Sequence, residues 1–142
     1  MTTLHTDGPI AVADRSELAA KFIAWLETHE QPDGLFADDV FCDLSLPQWR
    51  LQGHGPAAVQ AIRVGGHPVT GRVSRHRLDP TPSGFVLEFE ERWHDGQEWY
   101  CRELMRADVR DGAISEISVY CTGDWDESRV AEHAAAVSLL RP

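Results

Sequence analysis

The chain is short of positive charge, of cysteine and of long apolar runs, and each shortage removes a class of function. Against 23 Asp and Glu it carries only 13 Lys and Arg, a formal net charge of −10 that repels phosphate backbones and anionic lipid. Neither nucleic acid nor a membrane surface is an expected partner. Arg63, Arg72, Arg75 and Arg77 make the one basic cluster and read as a solvated edge. The three cysteines, Cys42, Cys101 and Cys121, show no C-x-x-C spacing, which excludes a disulfide framework or a zinc motif and leaves small buried hydrophobes. No apolar run approaches the roughly 20 residues that span a bilayer. The opening MTTLHTDGPI has neither the charged nor the apolar region of a secretory signal, so a cytoplasmic location is expected. G-x-G-x-x-G, a Walker loop, G-x-S-x-G and H-E-x-x-H are all missing, and His54 and His67 stand singly beside glycines. The expectation is chemistry without a metal or cofactor.

What is present reads as one domain over residues 14–140 behind a flexible tail, 1–13. DRSELAAKFIAWLETHE spaces Leu18, Phe22, Trp25 and Leu26 as one face of a helix, with Asp14 or Ser16 as its cap. LFADDVFCDLSLP reads as a helical turn running into a strand that Pro47 ends, and Pro56 opens a short helix closed by paired glycines. From Gly71 the period becomes two, predicting strands over 72–79, 85–94, 98–110 and 113–122, the last three an antiparallel meander. Asp124 or Asp126 then caps a helix with Val130, Ala134, Val137 and Leu140 as its apolar stripe. Helices, a long antiparallel sheet and a final helix make this α+β.

In the strand over 85–94, Phe85, Leu87, Phe89 and Trp93 must face inward, which carries Glu91 in with them, a burial that demands a proton or a partner. Trp99, Cys101, Glu103, Met105, Ala107 and Val109 form the inner row of the next strand, so Glu103 is a second inward acid. A structural alternative is that Arg102 or Arg106 reaches round an edge to pair with such an acid, or that a one-residue bulge turns it outward. In the last strand Glu116, Ser118, Tyr120 and Thr122 alternate with Ile117, Val119 and Cys121, and alternation alone leaves open which row faces in.

LFADDVFCDLSLP and ADVRDGAISEISVYCTGDWD resemble the first-strand region and final hairpin of the nuclear transport factor 2-like superfamily, in particular the SnoaL-like group of ketosteroid isomerases, limonene epoxide hydrolases and polyketide cyclases. The resemblance extends over residues 14–140. It implies a cone-shaped, curved, mostly antiparallel sheet wrapped around the helices, with a blind pocket. It also implies that Thr122 takes the place of an acid near the end of the last strand, which turns Tyr120, Ser118 and Glu116 inward. Glu91, Glu103 and Glu116 would then cluster as base and acid, Tyr120 would donate to an oxyanion, and His76 or Asp43 would orient a partner. Trp49, Phe89, Trp93, Trp99, Met105, Ser118 and Thr122 would line the pocket.

The expected function is a cofactor-free acid-base enzyme, an isomerase, dehydratase, cyclase or hydrolase acting on a small hydrophobic molecule. The alternative is a non-catalytic ligand-binding or dimeric accessory domain. The resemblance also implies a homodimer through the outer sheet face, with Ile117, Val119 and Cys121 as its apolar row.

Overall fold

The computed structural model describes residue 10 and residues 12–142; the expected tail over 1–13 otherwise lies outside the described residues. Helix α1 runs over Val12–Thr28, two residues ahead of the expected start, and buries Leu18, Ala19, Phe22, Trp25 and Leu26, the spacing that predicts it. Six strands follow in one sheet with two helices among and after them: β1 Phe36–Leu46, β2 Trp49–His54, α2 Pro56–Gly66, β3 Arg72–Thr81, β4 Gly84–His94, β5 Glu98–Arg110, β6 Ala113–Cys121 and α3 Glu127–Ala136. The sheet order is β2-β1-β6-β5-β4-β3, and only the β1–β6 pair is parallel. The architecture is α+β, with a curved sheet that does not close.

Two local expectations change. The helical turn expected before the first strand is strand from Phe36, because a register shift between Phe36 and Phe41 interrupts the alternation and leaves Asp38 and Asp39 exposed. WRLQGH, not foreseen as a strand, pairs antiparallel with β1 as β2 after the turn at Pro47 and Gln48.

Helices α1 and α2 cover the inner face of the sheet, tied together by Trp25 Nε1, which donates to Gln60 Oε1 at 2.7 Å. The core lies between: Phe85, Leu87 and Phe89 of β4, Met105 and Ala107 of β5, and Ile114 and Ile117 of β6 are buried against them. The stripe expected on the last helix is corrected. No residue of α3 is buried, Val130 and Val137 are 42% and 46% exposed, and the helix ends before Val137. Ala134 and Leu140 are exposed as well.

The facing implied for β6 is also reversed, and one residue does it. Arg110 pairs with Ala113 and Val109 with Ile114, but Asp108 pairs with Glu116, so Ser115 is extra. Side chains alternate with period two, so one inserted residue moves every later side chain to the other face. Cys121 therefore lies opposite Glu103 on the inside, and Tyr120 lies opposite Leu104 on the outside.

Candidate functional site

The inner face of the sheet carries one polar patch. Pairing places Glu91 of β4 opposite Cys101 of β5, and Glu103, two residues along β5, opposite Cys121 of β6. Helix α2 lays Arg63 on this patch, and His67 follows at the end of the same helix. From the other side, Gly123, with φ near +87°, turns the chain after β6 and brings Asp124 alongside.

A cavity of about 270 Å³ opens onto the patch. Phe22, Trp25, Leu44, Val59, Ile62, Ile117 and Val119 give it apolar walls, and Arg63, His67, Glu103, Cys121 and Asp124 give it polar ones.

Arg63 answers the demand that Glu91 makes. Its Nη1 donates to Glu91 Oε2 at 3.0 Å and its Nη2 to Oε1 at 2.5 Å, while Nη2 also reaches the Leu26 carbonyl at 3.1 Å. Both side chains are buried. Burial pushes the Glu91 carboxyl up, but a hydrogen bond with Glu103 and the Arg63 guanidinium outweigh it and hold Glu91 below the ordinary range, ionised. Arg63 cannot serve Glu103 in the same way. Burial, followed by the negative charge of Glu91 beside it, holds Glu103 well above its ordinary value, so it keeps its proton. Cys101 Sγ donates to Glu103 Oε1 at 3.1 Å, and Cys121 Sγ lies 3.9 Å from the same oxygen.

Across the cavity, Asp124 Oδ1 stands 3.9 Å from His67 Nε2. Burial and then the Arg63 charge lower the His67 value, leaving a neutral imidazole at neutral pH, and burial raises Asp124 despite the pull of His67. Trp93 packs edge-on against the imidazole at 4.7 Å and Trp99 stacks behind it.

His67, Glu91, Cys101 and Glu103 bring donor atoms within 4.8 Å of one another. A cation there would have to displace the Arg63 guanidinium from Glu91 and the proton from Glu103. The donor chemistry fits a hydrogen-bond network better than a metal centre.

Of the residues expected from sequence, the structure brings Glu91 and Glu103 together and sends the rest elsewhere. Glu116 is exposed and Tyr120 is 59% exposed on the outer face, both turned out by the Ser115 bulge, with Ser118 half-buried on that face. Asp43 also points outward, since Cys42 and Leu44 take the inner positions, and it pairs with Arg50 through both carboxylate oxygens. His76 is exposed on edge strand β3 beside α1. Trp49 is 66% exposed on edge strand β2. Phe89 and Met105 are core residues away from the cavity wall, and Thr122 is exposed, accepting the Arg102 amide at 3.1 Å. Trp93 and Trp99 back His67 rather than line the cavity.

Arg63, His67, Asp124 and the two thiols were not legible as site residues. The one signal was the need of Glu91 for a partner; the partner is Arg63, not Arg102 or Arg106, whose side chains are half-exposed on the outer face.

The sequence matches no family model and no curated protein. Solved structures do match. An NTF2-like protein of Anabaena variabilis superposes with a TM-score of 0.66 at 16% identity, over 80% of this chain and 94% of that one. The chain has the nuclear transport factor 2-like fold. Other structural neighbours include a protein named as a candidate polyketide cyclase of Xanthomonas campestris, with a TM-score of 0.62 and 17% identity over 76% of this chain and 90% of its own. One named as a candidate ketosteroid isomerase of Kribbella flavida has a TM-score of 0.57 and 20% identity over 92% of each chain. In this chain the cavity lies between the helices and the inner sheet face. Among the described residues no helix is long and apolar enough to cross a membrane.

Proposed function

We propose that the chain is a proton-transfer enzyme of the isomerase or cyclase kind, acting on a small apolar carbonyl compound. The observation that carries the reading is an acid and a base on one small apolar cavity. Glu103 holds a proton at neutral pH, and the neutral His67, with Asp124 beside it, can accept one. In this reading His67 removes a proton next to the carbonyl, Asp124 stabilises the imidazolium that forms, and Glu103 hydrogen-bonds or protonates the developing oxyanion. Glu91, held by Arg63, takes the hydrogen bond of Glu103 and positions it. Similarity of fold to solved structures named as candidate cyclases and isomerases supports the reaction type.

The test is exchange of α-hydrogens of cyclohexanone in deuterated water, followed by NMR. The chain should accelerate exchange, and His67→Gln or Glu103→Gln should lower the rate by about 10²–10⁴-fold. Saturable binding without acceleration would instead favour a ligand-binding domain. Pairing of two chains through the outer sheet face, if it occurs, has Leu104 and Tyr120 to use, adjacent in register and both exposed, since Ile117, Val119 and Cys121 face inward. Sedimentation of wild type and Leu104→Arg checks this.

A further inference from the structure

Proton transfer uses neither thiol of the patch, and the two stand among further donors. Cys101 Sγ, Cys121 Sγ and a carboxylate oxygen of Asp124 all lie within 4.8 Å of one another. His67 reaches the same place from the end of α2: a ring nitrogen lies within 4.8 Å of Cys101 Sγ, and Nε2 is 3.9 Å from Asp124 Oδ1. Four donors thus converge from separate parts of the chain, and three of them, His67, Cys121 and Asp124, line the cavity, which gives a cation its way in. Among the described residues, neither the His67 ring nor the Asp124 carboxylate has a hydrogen-bond partner, so both are free to ligate. The backbone builds the chelate. Cys121 and Asp124 are three residues apart, and Gly123 between them, at φ near +87°, turns the chain back on itself and donates its amide to Cys121 Sγ at 3.4 Å.

We propose that Cys101, Cys121, Asp124 and His67 form a Zn²⁺ site, reached through the cavity. Two thiolates, an imidazole and a carboxylate are a donor set for a tetrahedral, borderline-soft cation, whereas Mg²⁺ and Ca²⁺ take oxygen ligands and would leave the sulfurs unused. Tetrahedral Zn–S bonds of about 2.3 Å place two sulfurs about 3.8 Å apart, so sulfurs already within 4.8 Å need close by no more than about 1 Å. The set that contains Glu91 and Glu103 would cost the Arg63 pair and the Glu103 proton; this set leaves both in place. The one contact given up is the hydrogen bond from Cys101 to Glu103. The bond to Cys121, followed by burial, raises the Cys101 thiol, which therefore ionises only in exchange for a cation. Each thiol releases its proton to solvent as its Zn–S bond forms, with nothing oxidised or reduced, and Cys121 keeps the Gly123 amide as a donor to its sulfur. The site stands without the proton-transfer reading. Where both hold, zinc occupies the base and its carboxylate partner and stops that reaction.

The experiment loads the full chain, reduced and freed of metal by a chelator, with Zn²⁺ alone and reads the ligands by X-ray absorption. Two sulfurs at about 2.3 Å and two nitrogen or oxygen atoms at about 2.0 Å are expected. Co²⁺ in its place should give the intense visible bands of a tetrahedral ion and a thiolate charge-transfer band, which Zn²⁺ then bleaches, and about two protons should be released per ion near neutral pH. Cys121→Ser and Asp124→Asn should each weaken binding at least ~10-fold. The spectra of the unmutated chain decide the matter even if those variants fail to fold. Fewer than two sulfurs around zinc, pale six-coordinate Co²⁺, or no binding at micromolar zinc overturns the proposal. Zinc binding with no cyclohexanone exchange in the metal-free chain removes the proton-transfer reading alone, and exchange without zinc binding removes this one alone.

Discussion

Ser115 Oγ donates to the Asp108 carbonyl at 3.2 Å, and this contact fastens the bulge that decides which face of β6 lines the cavity. Continued from Arg110 opposite Ala113 without the bulge, the register would put Tyr120 opposite Glu103.

Deleting Ser115 should therefore remove the bulge and leave Ile117 and Val119 facing inward, because Ile114 opposite Val109 is then followed directly by Glu116 opposite Asp108. A loss of about 1.5–3 kcal/mol for each of these side chains turned out to water would overturn this account of the bulge. Ser115→Ala should lose only about 1 kcal/mol, because a single hydrogen bond goes and the register stays. Urea melts of the two variants separate the outcomes.

Glu91→Gln and Glu103→Gln should part company in stability although the two residues touch. The first strands the buried Arg63 guanidinium and should cost about 3–5 kcal/mol. The second replaces a group that is already neutral in the fold, so it should leave stability unchanged or raised. Thermal melts near neutral pH check both, and a large loss from Glu103→Gln would show its carboxyl to be an ionised structural partner.

Stability should also fall with rising pH through Glu103. Its folded value lies well above the ordinary 4.5, so above that pH the folded chain keeps a proton that the unfolded chain has released. Its contribution is complete below 4.5 and is lost, by up to about 1.4 kcal/mol per pH unit, until the raised value is reached. Glu103→Gln removes this slope. The margin of the variant over wild type should grow as the pH rises above the ordinary value, measured by urea melts at each pH.

The exchange rate should trace a bell. It should rise as His67 loses its proton at a pH below the ordinary 6.5, and fall when Glu103 loses its own. Asp124→Asn should move the rising limb to lower pH, because the imidazolium loses the carboxylate that favours it. Glu116→Gln and Tyr120→Phe, both on the outer face, should leave the profile where it is.

The sequence by itself determined the elements and much of the core, because a helix and a strand write their periods into the order of apolar residues. Leu18, Phe22, Trp25 and Leu26 define the buried face of α1, Phe85, Leu87, Phe89 and Trp93 define that of β4, which carries Glu91 inside, and Cys101, Met105 and Ala107 define that of β5, which carries Glu103 inside. Period two distinguishes two faces without saying which is inward, and it does not survive an inserted residue. The facing of β6 therefore depended on its pairing with β5 and on Ser115, and Glu116 and Tyr120 went to the outer face with it. The rest of the site is long-range. Arg63 meets Glu91 across 28 residues, and Cys121 meets Glu103 across 18. No local pattern encodes such contacts; only the sheet register and the position of α2 on the sheet bring these groups within hydrogen-bonding distance, where burial and neighbouring charge set which of them holds a proton.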